Sequence, residues 1–352
     1  MDSTRSRRQT GRPTINDVAR HAGVSPMTVS RVINGDGAVR ALTRQKVEAA
    51  IADLAYAPSP AARRLAGGEE TRIALVYANP SAAYLSELLM GSLEGAGALN
   101  AHLSVETVAG GATPQAAAAL VAHLRAGRID GLILPPPLCN AQPVLTALAE
   151  AAIPVVAVAS GPMRADLAAV AIDDFAAAQV MTRHLVAHGH TRIGFVTGSA
   201  DQSASQCRLD GYRAALEEAG LAFDPALVAQ GDFTYRSGLA AAGVLLDAAA
   251  PPTALFASND DMAAAALAVA RARGLDVPGD LSVCGFDDTP MATTIWPELT
   301  TIRQPVRDMA RAAVEMLVAR IRDQRGGKAE APCHRLFDFA LVCRQSDAPA
   351  RV

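Results

Sequence analysis

The first chemically informative group is a set of short polar side chains and one arginine around the pair Ser25-Pro26. Serine favours the position before a helix and proline suits its first turn, so a helix is predicted from Pro26. Val29, Val32 and Ile33 would form its buried face. Hydroxyl and amide groups can donate hydrogen bonds to phosphate oxygens, and an arginine can donate to guanine O6 and N7. Apolar groups contact thymine methyls and respond to the shape of the duplex. The pattern predicts base contacts at Pro26, Met27 and Arg31 and phosphate contacts at Thr14, Ser25, Thr28, Ser30 and Asn34.

A second group is the histidine-rich segment RHLVAHGHTR, in which His184, His188 and His190 follow one another closely. Two histidines four residues apart lie on one face of a helix and suggest a metal site. No glutamate follows His184 in a His-Glu-x-x-His pattern, and no third ligand is identifiable. Gly189 is typical of a residue that ends a helix. We therefore expect no metal site here.

Motifs of catalysis are missing from the sequence. There is no Gly-x-Ser-x-Gly elbow and no Walker loop, and GSLEGAG at 91–97 falls inside an amphipathic helix without dinucleotide-binding spacing. The five cysteines lie far apart without a Cys-x-x-Cys pair, which argues against a disulfide framework or structural zinc. No cofactor and no enzymatic activity are expected. Without a signal peptide or a proline-free apolar span, we expect a cytoplasmic protein.

Three short helices are predicted to position the polar residues near the start of the chain. Thr14 and Asp17 form a Thr-x-x-Asp cap ahead of an apolar stripe, which predicts a helix over 15–22. The second helix follows after a tight turn, and Thr43 is expected to cap a third that ends before Tyr56. Two short helices joined by a glycine-containing turn, with a third that covers them, are typical of a helix-turn-helix unit. A protein-interaction module is the alternative.

Charge divides the 352-residue chain into a basic head and an acidic body. The net charge is −3, but residues 1–68 hold 11 Lys and Arg against 5 Asp and Glu, a net of +6. Residues 69–352 therefore carry a net of −9. This asymmetry is expected when one end of a protein binds a polyanion, and a solvated basic tail is the alternative. With 50% hydrophobic residues the chain is globular, and its length predicts two or three domains.

The acidic body alternates short apolar runs with alanine-rich helical stretches. Runs of this kind are typical of buried parallel strands, and their alternation with helices indicates doubly wound sheets. The number of runs fits two sheets, the second beginning near Asp173. We expect a small all-α helix-turn-helix domain followed by an α/β domain of two lobes with a cleft between them. The predicted strands are 73–77, 105–108, 131–134, 155–158, 170–172, 193–196, 255–257 and 281–286.

The segment RPTINDVARHAGVSPMTVSRVING, followed by LTRQKVEAAIADLAYAPSPAARRLAGG, resembles the DNA-binding headpiece of the LacI/GalR family of bacterial transcription regulators. The similarity continues along nearly the whole chain. The resemblance implies a headpiece at 12–58 and a hinge helix at 59–70 that becomes ordered on operator DNA and enters its minor groove. Leu65 would be the inserted wedge, and Ala62 would allow close approach. Apart from the resemblance, this segment is predicted to be a linker.

The body resembles the periplasmic sugar-binding-protein fold, which this family uses for effector binding and dimerisation. The resemblance implies a first lobe at 71–172 plus 303–330 and a second lobe at 173–302 plus 331–345. It also places effector contacts on loops at the cleft, where each matching residue has ordinary capping or packing as its alternative. The implied effector-binding residues are Tyr84, Leu85, Arg208, Phe233, Asn259 and Asp287.

These observations predict a homodimeric, sequence-specific DNA-binding regulator that represses a sugar-utilisation operon. One arginine, one aspartate, one asparagine and a single aromatic ring suit a polyhydroxylated effector better than a purine, which usually stacks on both faces. The expected partners are a palindromic operator duplex and a small-molecule effector, with no membrane. The alternative is a cytoplasmic sugar-binding or sugar-processing protein whose basic head has another purpose. Salt-sensitive binding to a palindromic duplex distinguishes the two.

Overall fold

The structure is a computed structural model, and it describes residues 13–33, 39–54, 56, 70–78, 81–108, 111–158, 164–328 and 331–351. The chain forms two compact units, Met1–Glu70 and Thr71–Val352. The boundary between them falls at the end of the segment predicted to be the hinge. Three predicted site residues, Asn34, Ala62 and Leu65, lie outside the described residues.

The smaller unit contains the helices α1 (Ile15–Ala22), α2 (Pro26–Ile33) and α3 (Ala41–Asp53). Their apolar faces share one core, which includes Val18, Val29, Val47, Ala50 and Tyr56. Gly23 has a φ of 67°, a left-handed conformation that suits glycine and lets the chain turn between α1 and α2. These contacts form the predicted helix-turn-helix unit, with the third helix closing its core.

The two predicted caps in this unit have different outcomes. At α1 the prediction is confirmed, because the Thr14 amide donates a 2.9 Å hydrogen bond to the Asp17 carboxylate. At α3 it is wrong, because the helix begins at Ala41 and Thr43 lies inside it. The carbonyl of Arg40 accepts hydrogen bonds from the amides of Thr43 and Arg44, so helical bonding starts before the predicted cap.

The larger unit alternates strands and helices as predicted. The strands are β1 (Arg72–Tyr77), β2 (His102–Thr107), β3 (Gly131–Leu134), β4 (Val155–Val158), β5 (Ala168–Ala171), β6 (Ile193–Thr197), β7 (Val228–Gln230), β8 (Ala254–Ala257), β9 (Ser282–Asp287), β10 (Thr300–Arg303), β11 (His334–Leu336) and β12 (Ala340–Val342). The helices are α4 (Ala82–Ala98), α5 (Pro114–Gly127), α6 (Gln142–Glu150), α7 (Asp174–Ala187), α8 (Ser203–Glu218), α9 (Tyr235–Leu246), α10 (Asp260–Ala272), α11 (Met291–Thr294) and α12 (Val306–Arg325). In the part of the chain described here, no helix is long and apolar enough to cross a bilayer.

The first sheet is parallel and has the strand order β11-β5-β4-β3-β1-β2. Successive side chains of a strand point to opposite faces, so β1 contributes to two cores. Ile73 and Leu75 pack in the core that includes residues of α4 and α12. Ala74 and Val76 pack with α5 and α6 on the other face. Helices therefore cover both faces of this sheet, which forms the first lobe.

The second sheet has the order β12-β10-β9-β8-β6-β7, with only β12 antiparallel to its neighbour in the described chain. Phe195 of β6 packs with Tyr212 of α8 on one face. Val196 packs with α9 and α10 on the other face. The two doubly wound lobes confirm the predicted fold class.

The chain passes between the lobes more than once. Helix α12 packs on β3, β4 and β5 of the first sheet although it follows β10 of the second. The expected placement of 331–345 in the second lobe is wrong in one part. Strand β11 pairs with β5 at the edge of the first sheet, and only β12 joins the second. An open sheet edge offers unpaired backbone groups, which β11 satisfies before the chain crosses back.

Candidate DNA-binding and effector-binding sites

Helix α2 separates apolar from polar side chains as the sequence predicts. Val29 and Val32 are buried in the core of the smaller unit. Pro26, Met27 and Arg31 are exposed, and 66% of the Met27 surface is accessible to solvent. A single exposed apolar side chain is normal on a protein surface, so its exposure leaves Met27 available for a contact without by itself indicating a partner. The geometry agrees with base contacts by these three residues, which stay predictions.

The predicted phosphate contacts differ in how their hydroxyl hydrogens are used. The Oγ of Ser25 and the Oγ1 of Thr28 are 2.9 Å apart, so one hydrogen joins them and the other can point to a phosphate. The Thr14 hydroxyl donates to Asp17 over 2.7 Å, and a phosphate contact competes with that bond. Ser30 is half-buried on α2. All five predicted phosphate contacts, including that of Asn34 outside the described residues, stay predictions.

A small pocket lies between the two lobes at the carboxyl ends of both sheets. In parallel α/β sheets this edge is where ligands bind, because loops and helix starts converge there. The pocket has a cavity volume of about 30 Å³. Its lining consists of Ser81, Tyr84, Pro136, Gln202, Ala204, Arg208, Phe233, Asn259, Asp287, Gln304 and Met309.

Five of the six predicted effector residues belong to this lining, and Leu85 does not. Leu85 is half-buried and packs against the hydrophobic core of the body. Tyr84 is in the lining because it stands one residue earlier on α4 and points in another direction. Leu85 therefore has a packing position in the structure, which was its alternative to an effector contact.

Arg208 is the most strongly fixed side chain of the pocket. It comes from α8 and is 4% exposed. Its Nε donates to Asp174 Oδ1 over 2.8 Å, and its Nη1 donates to the carbonyl of Ser258. The guanidinium carbon lies 3.5 Å from the ring centroid of Phe286, a cation–π contact. These contacts hold the planar group in one orientation, as two-point recognition of a ligand requires.

Asp287 ends β9 and faces Arg208 across the pocket wall. Its Oδ1 lies 3.9 Å from Arg208 Nη1 and accepts a 2.5 Å hydrogen bond from Gln304 Nε2. Burial raises the pKa of Asp287 to about 7, although Arg208 and Gln304 favour the charged form. Its φ of 110° is strained for a residue with a side chain, and such strain concentrates at functional sites. Asp287 can therefore accept hydrogen bonds near neutral pH.

Phe233 and Asn259 form a connected corner of the pocket. A Cβ at Gly198 would lie 2.0 Å from Phe233 Cζ, so the ring covers a position that only glycine allows. Asn259 Oδ1 accepts from the Met262 amide and its Nδ2 donates to the carbonyl of Phe233 over 2.9 Å. Asn259 thus caps α10 and also holds the backbone of Phe233. A direct contact with an effector hydroxyl stays a prediction.

Sequence reasoning missed the residues that join the lobes. The Ser81 hydroxyl donates a 2.6 Å hydrogen bond to Asp261 of α10, and Asn140 Nδ2 donates to the Ser203 hydroxyl over 2.9 Å. Gln304 was missed because it follows β10, whose sequence TTIR has no apolar run. Its position just after a strand would have been a signal once β10 was recognised.

Two family models match the chain. "Bacterial regulatory proteins, lacI family" matches residues 14–59, and "Periplasmic binding protein-like domain" matches residues 182–346. The HTH-type transcriptional regulator DegA of Bacillus subtilis (strain 168) is 36% identical over 338 residues, 96% of this chain and 98% of DegA. The chain belongs to the LacI family of bacterial regulatory proteins.

Solved structures extend the likeness of this LacI-family regulator to its tertiary fold. The transcriptional regulator CelR–cellobiose complex is 34% identical with a TM-score of 0.71, over 95% of this chain and 100% of that chain. The Lac repressor dimer bound to operator and the anti-inducer ONPF is 30% identical with a TM-score of 0.74, over 96% and 100%. The relatives share the helix-turn-helix head followed by the two-lobed body.

Membership of the LacI family decides between the function classes left open by the sequence. The relatives are transcriptional regulators, so this chain is a regulator and not an enzyme. The basic head matches the family's own model, which rules out a head of another purpose. The DNA-binding interpretation of the head is confirmed.

Proposed function

We propose that this LacI-family regulator represses a sugar-utilisation operon by binding a palindromic operator as a homodimer. A sugar or sugar derivative, bound between the lobes, changes its operator affinity. The observation that carries the proposal is the convergence of Arg208, Asp287 and Phe233 on one pocket at the carboxyl ends of both sheets. A fixed guanidinium, a carboxylate and one aromatic ring form a recognition set for a polyhydroxylated molecule.

Helix α2 is the proposed reading helix of each headpiece. Its exposed face carries Arg31, whose guanidinium suits a guanine edge, beside the apolar Pro26 and Met27. A single headpiece spans few base pairs, so two copies related by a two-fold axis fit a palindrome. The similar Lac repressor, solved as a dimer bound to operator, supports both the dimer and the duplex. Hinge contacts by Ala62 and Leu65 complete the proposed interface.

The effector side of the proposal rests on the contacts that remain available in the pocket. Described contacts of Arg208 engage Nε and Nη1, and none engages Nη2. Asp287 uses Oδ1 for Gln304, and no described hydrogen bond engages Oδ2. The Nη2 donor of Arg208 and the Oδ2 acceptor of Asp287 lie on opposite sides and suit neighbouring hydroxyls of a sugar ring. Phe233 presents the face of its ring to the same sugar. The relative CelR, solved as a complex with cellobiose, supports a sugar.

Movement of the lobes connects the pocket to DNA in this proposal. A cavity of about 30 Å³ has room for only a few water molecules, so a sugar requires the pocket to widen. The two hydrogen bonds across the cleft, from Ser81 and from Asn140, oppose that widening. A ligand that prefers one lobe arrangement changes operator affinity by its differential affinity for the two states, typically about 1–3 kcal/mol.

The proposed domains are a headpiece at 12–58, a hinge at 59–70 and two lobes. The first lobe comprises 71–172 and 303–330 together with β11, and the second comprises 173–302 and the rest of 331–345. The proposed location is the cytoplasm, where the DNA is accessible to the regulator. This is supported by relatives that are DNA-binding transcriptional regulators.

The test is selection of duplexes from a random library by the purified full-length protein, repeated with a panel of mono- and disaccharides. We expect a palindromic consensus, binding that weakens steeply with salt, and one sugar class that changes operator affinity by about 5- to 150-fold. Sedimentation in the same buffer should show a dimer. Selection of no palindrome overturns operator binding, and a panel without effect overturns the sugar effector.

A further inference from the structure

Helix α7 ends beside a carboxylate that comes from the C-terminal segment. His184 Nε2 lies 2.6 Å from Asp347 Oδ2, and His188 Nδ1 lies 3.2 Å from the same oxygen. The two imidazole centroids are 4.3 Å apart. One ligand atom from each of the three residues lies within 4.8 Å of the other two. The third ligand that the sequence did not reveal is thus Asp347, 163 residues beyond His184.

We infer that His184, His188 and Asp347 bind a divalent transition-metal ion, with Zn²⁺ as the best chemical match. Imidazole nitrogen and carboxylate oxygen are zinc ligands at about 2.0–2.2 Å, so ligand atoms of a tetrahedral site stand about 3.3 Å apart. The 3.2 Å separation of His188 Nδ1 from Asp347 Oδ2 already meets this value. The shorter His184 contact lengthens when the ion replaces the shared hydrogen.

The surroundings of the three residues favour an ion over a hydrogen-bonded cluster. The Asp347 side chain is 3% exposed, and its other oxygen accepts a hydrogen bond from the Thr300 hydroxyl, which orients Oδ2 toward the histidines. His188 Nδ1 is buried and makes no hydrogen bond within the described chain. An ion would bond this nitrogen directly, where the described chain gives it only the 3.2 Å ion-pair contact with Asp347 Oδ2. His188 is 31% exposed, so water can reach a fourth coordination position.

The third histidine of the segment does not belong to the site. His190 Nδ1 lies 2.9 Å from the Thr253 hydroxyl, and its Nε2 lies 3.0 Å from the carbonyl of Ala348. Both ring nitrogens are therefore engaged. Through Ala348, His190 holds the backbone next to Asp347, which places the carboxylate beside α7.

The site is separate from the effector pocket. Helix α7 has 14 residues, about 21 Å, and its first residue Asp174 contacts Arg208 in the pocket. The histidines lie near the opposite end. A bound ion would fasten the C-terminal segment to the second lobe, and binding to the folded state alone raises thermal stability with metal concentration. This inference does not depend on a sugar or on DNA.

The test uses untagged full-length protein, stripped of metal by dialysis against a chelator and titrated with Co²⁺ and then Zn²⁺. We expect one ion to bind per chain and the melting temperature to rise with the Zn²⁺ concentration. Co²⁺ bound in a site of low symmetry should absorb visible light, and this absorption should disappear when Zn²⁺ replaces the Co²⁺. His188→Gln should weaken Zn²⁺ affinity by at least about tenfold, as even outer partners of metal ligands contribute about 10- to 100-fold. Asp347→Asn should do the same.

Two control variants make the outcome decisive. His123→Gln removes an exposed histidine that pairs with Glu106 in the first lobe, and it should bind like the wild type. Cys343→Ser removes a thiol whose pKa is raised by burial and by the charge of Asp347. Unchanged metal binding by this variant excludes thiolate ligation. If the stripped protein shows no Co²⁺ absorption and no stabilisation by Zn²⁺, the three residues form only an ion-pair cluster and the inference fails. Equal affinity in folded His188→Gln also overturns it.

Discussion

Ser81 of the first lobe donates a 2.6 Å hydrogen bond to Asp261 of the second lobe. Asp261 is half-buried on α10, and burial raises the pKa of its carboxyl although the Ser81 hydroxyl favours the charged form. The pair bridges the cleft beside the pocket, since Ser81 also belongs to the lining. A single hydroxyl therefore contributes to the closed arrangement of the lobes.

Ser81→Ala should strengthen effector binding, because the cleft must widen to admit a sugar and the variant has no hydrogen bond to Asp261 that widening would break. A bond of this kind to a charged group contributes about 1.5–3 kcal/mol, so we expect a gain in affinity of up to about 10- to 100-fold. Calorimetric titration with the effector measures it. Ser92→Ala is the matched control, since Ser92 donates to Leu88 within α4 and does not cross the cleft. An equal gain in both variants would show that the effect is general and not due to the bond across the cleft.

Arg208→Ala should abolish effector binding and also destabilise the second lobe. Removal of one partner from a buried ion pair costs about 3–5 kcal/mol, because Asp174 keeps its buried charge without the guanidinium. Denaturant unfolding measures the stability, and titration of the sugar measures the binding. Arg213→Ala removes an exposed arginine from the same helix and should change neither property strongly. A variant of Arg208 that binds sugar normally would place the effector elsewhere.

Effector affinity should rise with pH through about 7, because only the ionised Asp287 accepts hydrogen bonds with both oxygens. The pKa of Asp287 is raised to about 7 in the folded protein, above its ordinary value of 3.8. Between pH 3.8 and about 7, the folded state thus keeps a proton on Asp287 that the unfolded state has lost. The contribution of Asp287 to the free energy of unfolding therefore falls as pH rises from about 4 to about 7 and then levels.

Asp287→Asn separates these two effects of pH. The variant has no titrating group at this position, so its sugar affinity should be low and should not rise near pH 7. The free energy of unfolding of the variant should fall less steeply with pH than that of the wild type. Burial also raises the pKa of Asp260, but this residue is present in both proteins. Affinity titrations and urea unfolding from pH 5.5 to 8 measure the difference. Parallel pH profiles in the two proteins would refute the role of Asp287.

Arg31→Ala should relax sequence preference at one base pair of each half-site. A bidentate contact between arginine and guanine provides about 1–3 kcal/mol of discrimination against the wrong base. Competition binding with operators substituted at each position measures this. Arg20→Ala, which removes an exposed arginine paired with Asp17 on α1, should change the affinity for all sequences alike. Wild-type preference at every position in Arg31→Ala would disprove the assignment of α2 as the reading helix.

Leu65→Ala tests the hinge that the family resemblance implies, at a position outside the described residues. The variant should bind its sugar normally and keep salt-dependent non-specific DNA binding, but lose operator bending and much specific affinity. Fluorescence-based bending and sugar titration on one preparation measure both properties. If Leu65 instead packs the segment against the body, bending stays normal and thermal stability falls.

The headpiece shows how much local sequence determines. The bounds of α1 and the start of α2 follow from a cap, a proline and an apolar stripe within a few residues of each other. Burial of Val29 and Val32 with exposure of Arg31 also follows from helical spacing. The start of α3 does not, because the helix begins with the carbonyl of Arg40 and not with the side chain of Thr43.

In the body, apolar runs predicted most of the central strands, but they missed the central strand β10 and the three-residue strands at the sheet edges. Strands β3 and β4 have the predicted bounds because both their faces are buried and every residue is apolar or glycine. Strands β7, β11 and β12 have three residues each and lie at sheet edges. Such strands are held by pairing to a neighbour, which no local pattern records. For the same reason β11 joins the first sheet, contrary to the expected lobe boundary.

By itself the sequence determined the helix-turn-helix head, the two doubly wound lobes and, through resemblance, five residues of one pocket. These follow from short-range periodicity and from loops that a parallel sheet brings to a common edge. Only the tertiary structure decided that Asn259 holds Phe233 and that Ser81 bonds Asp261 across the cleft. The placement of Asp347 beside His184 was also decided there. These contacts join residues that local patterns do not relate, and their distances depend on tertiary packing within the second lobe and, for Ser81, between the lobes.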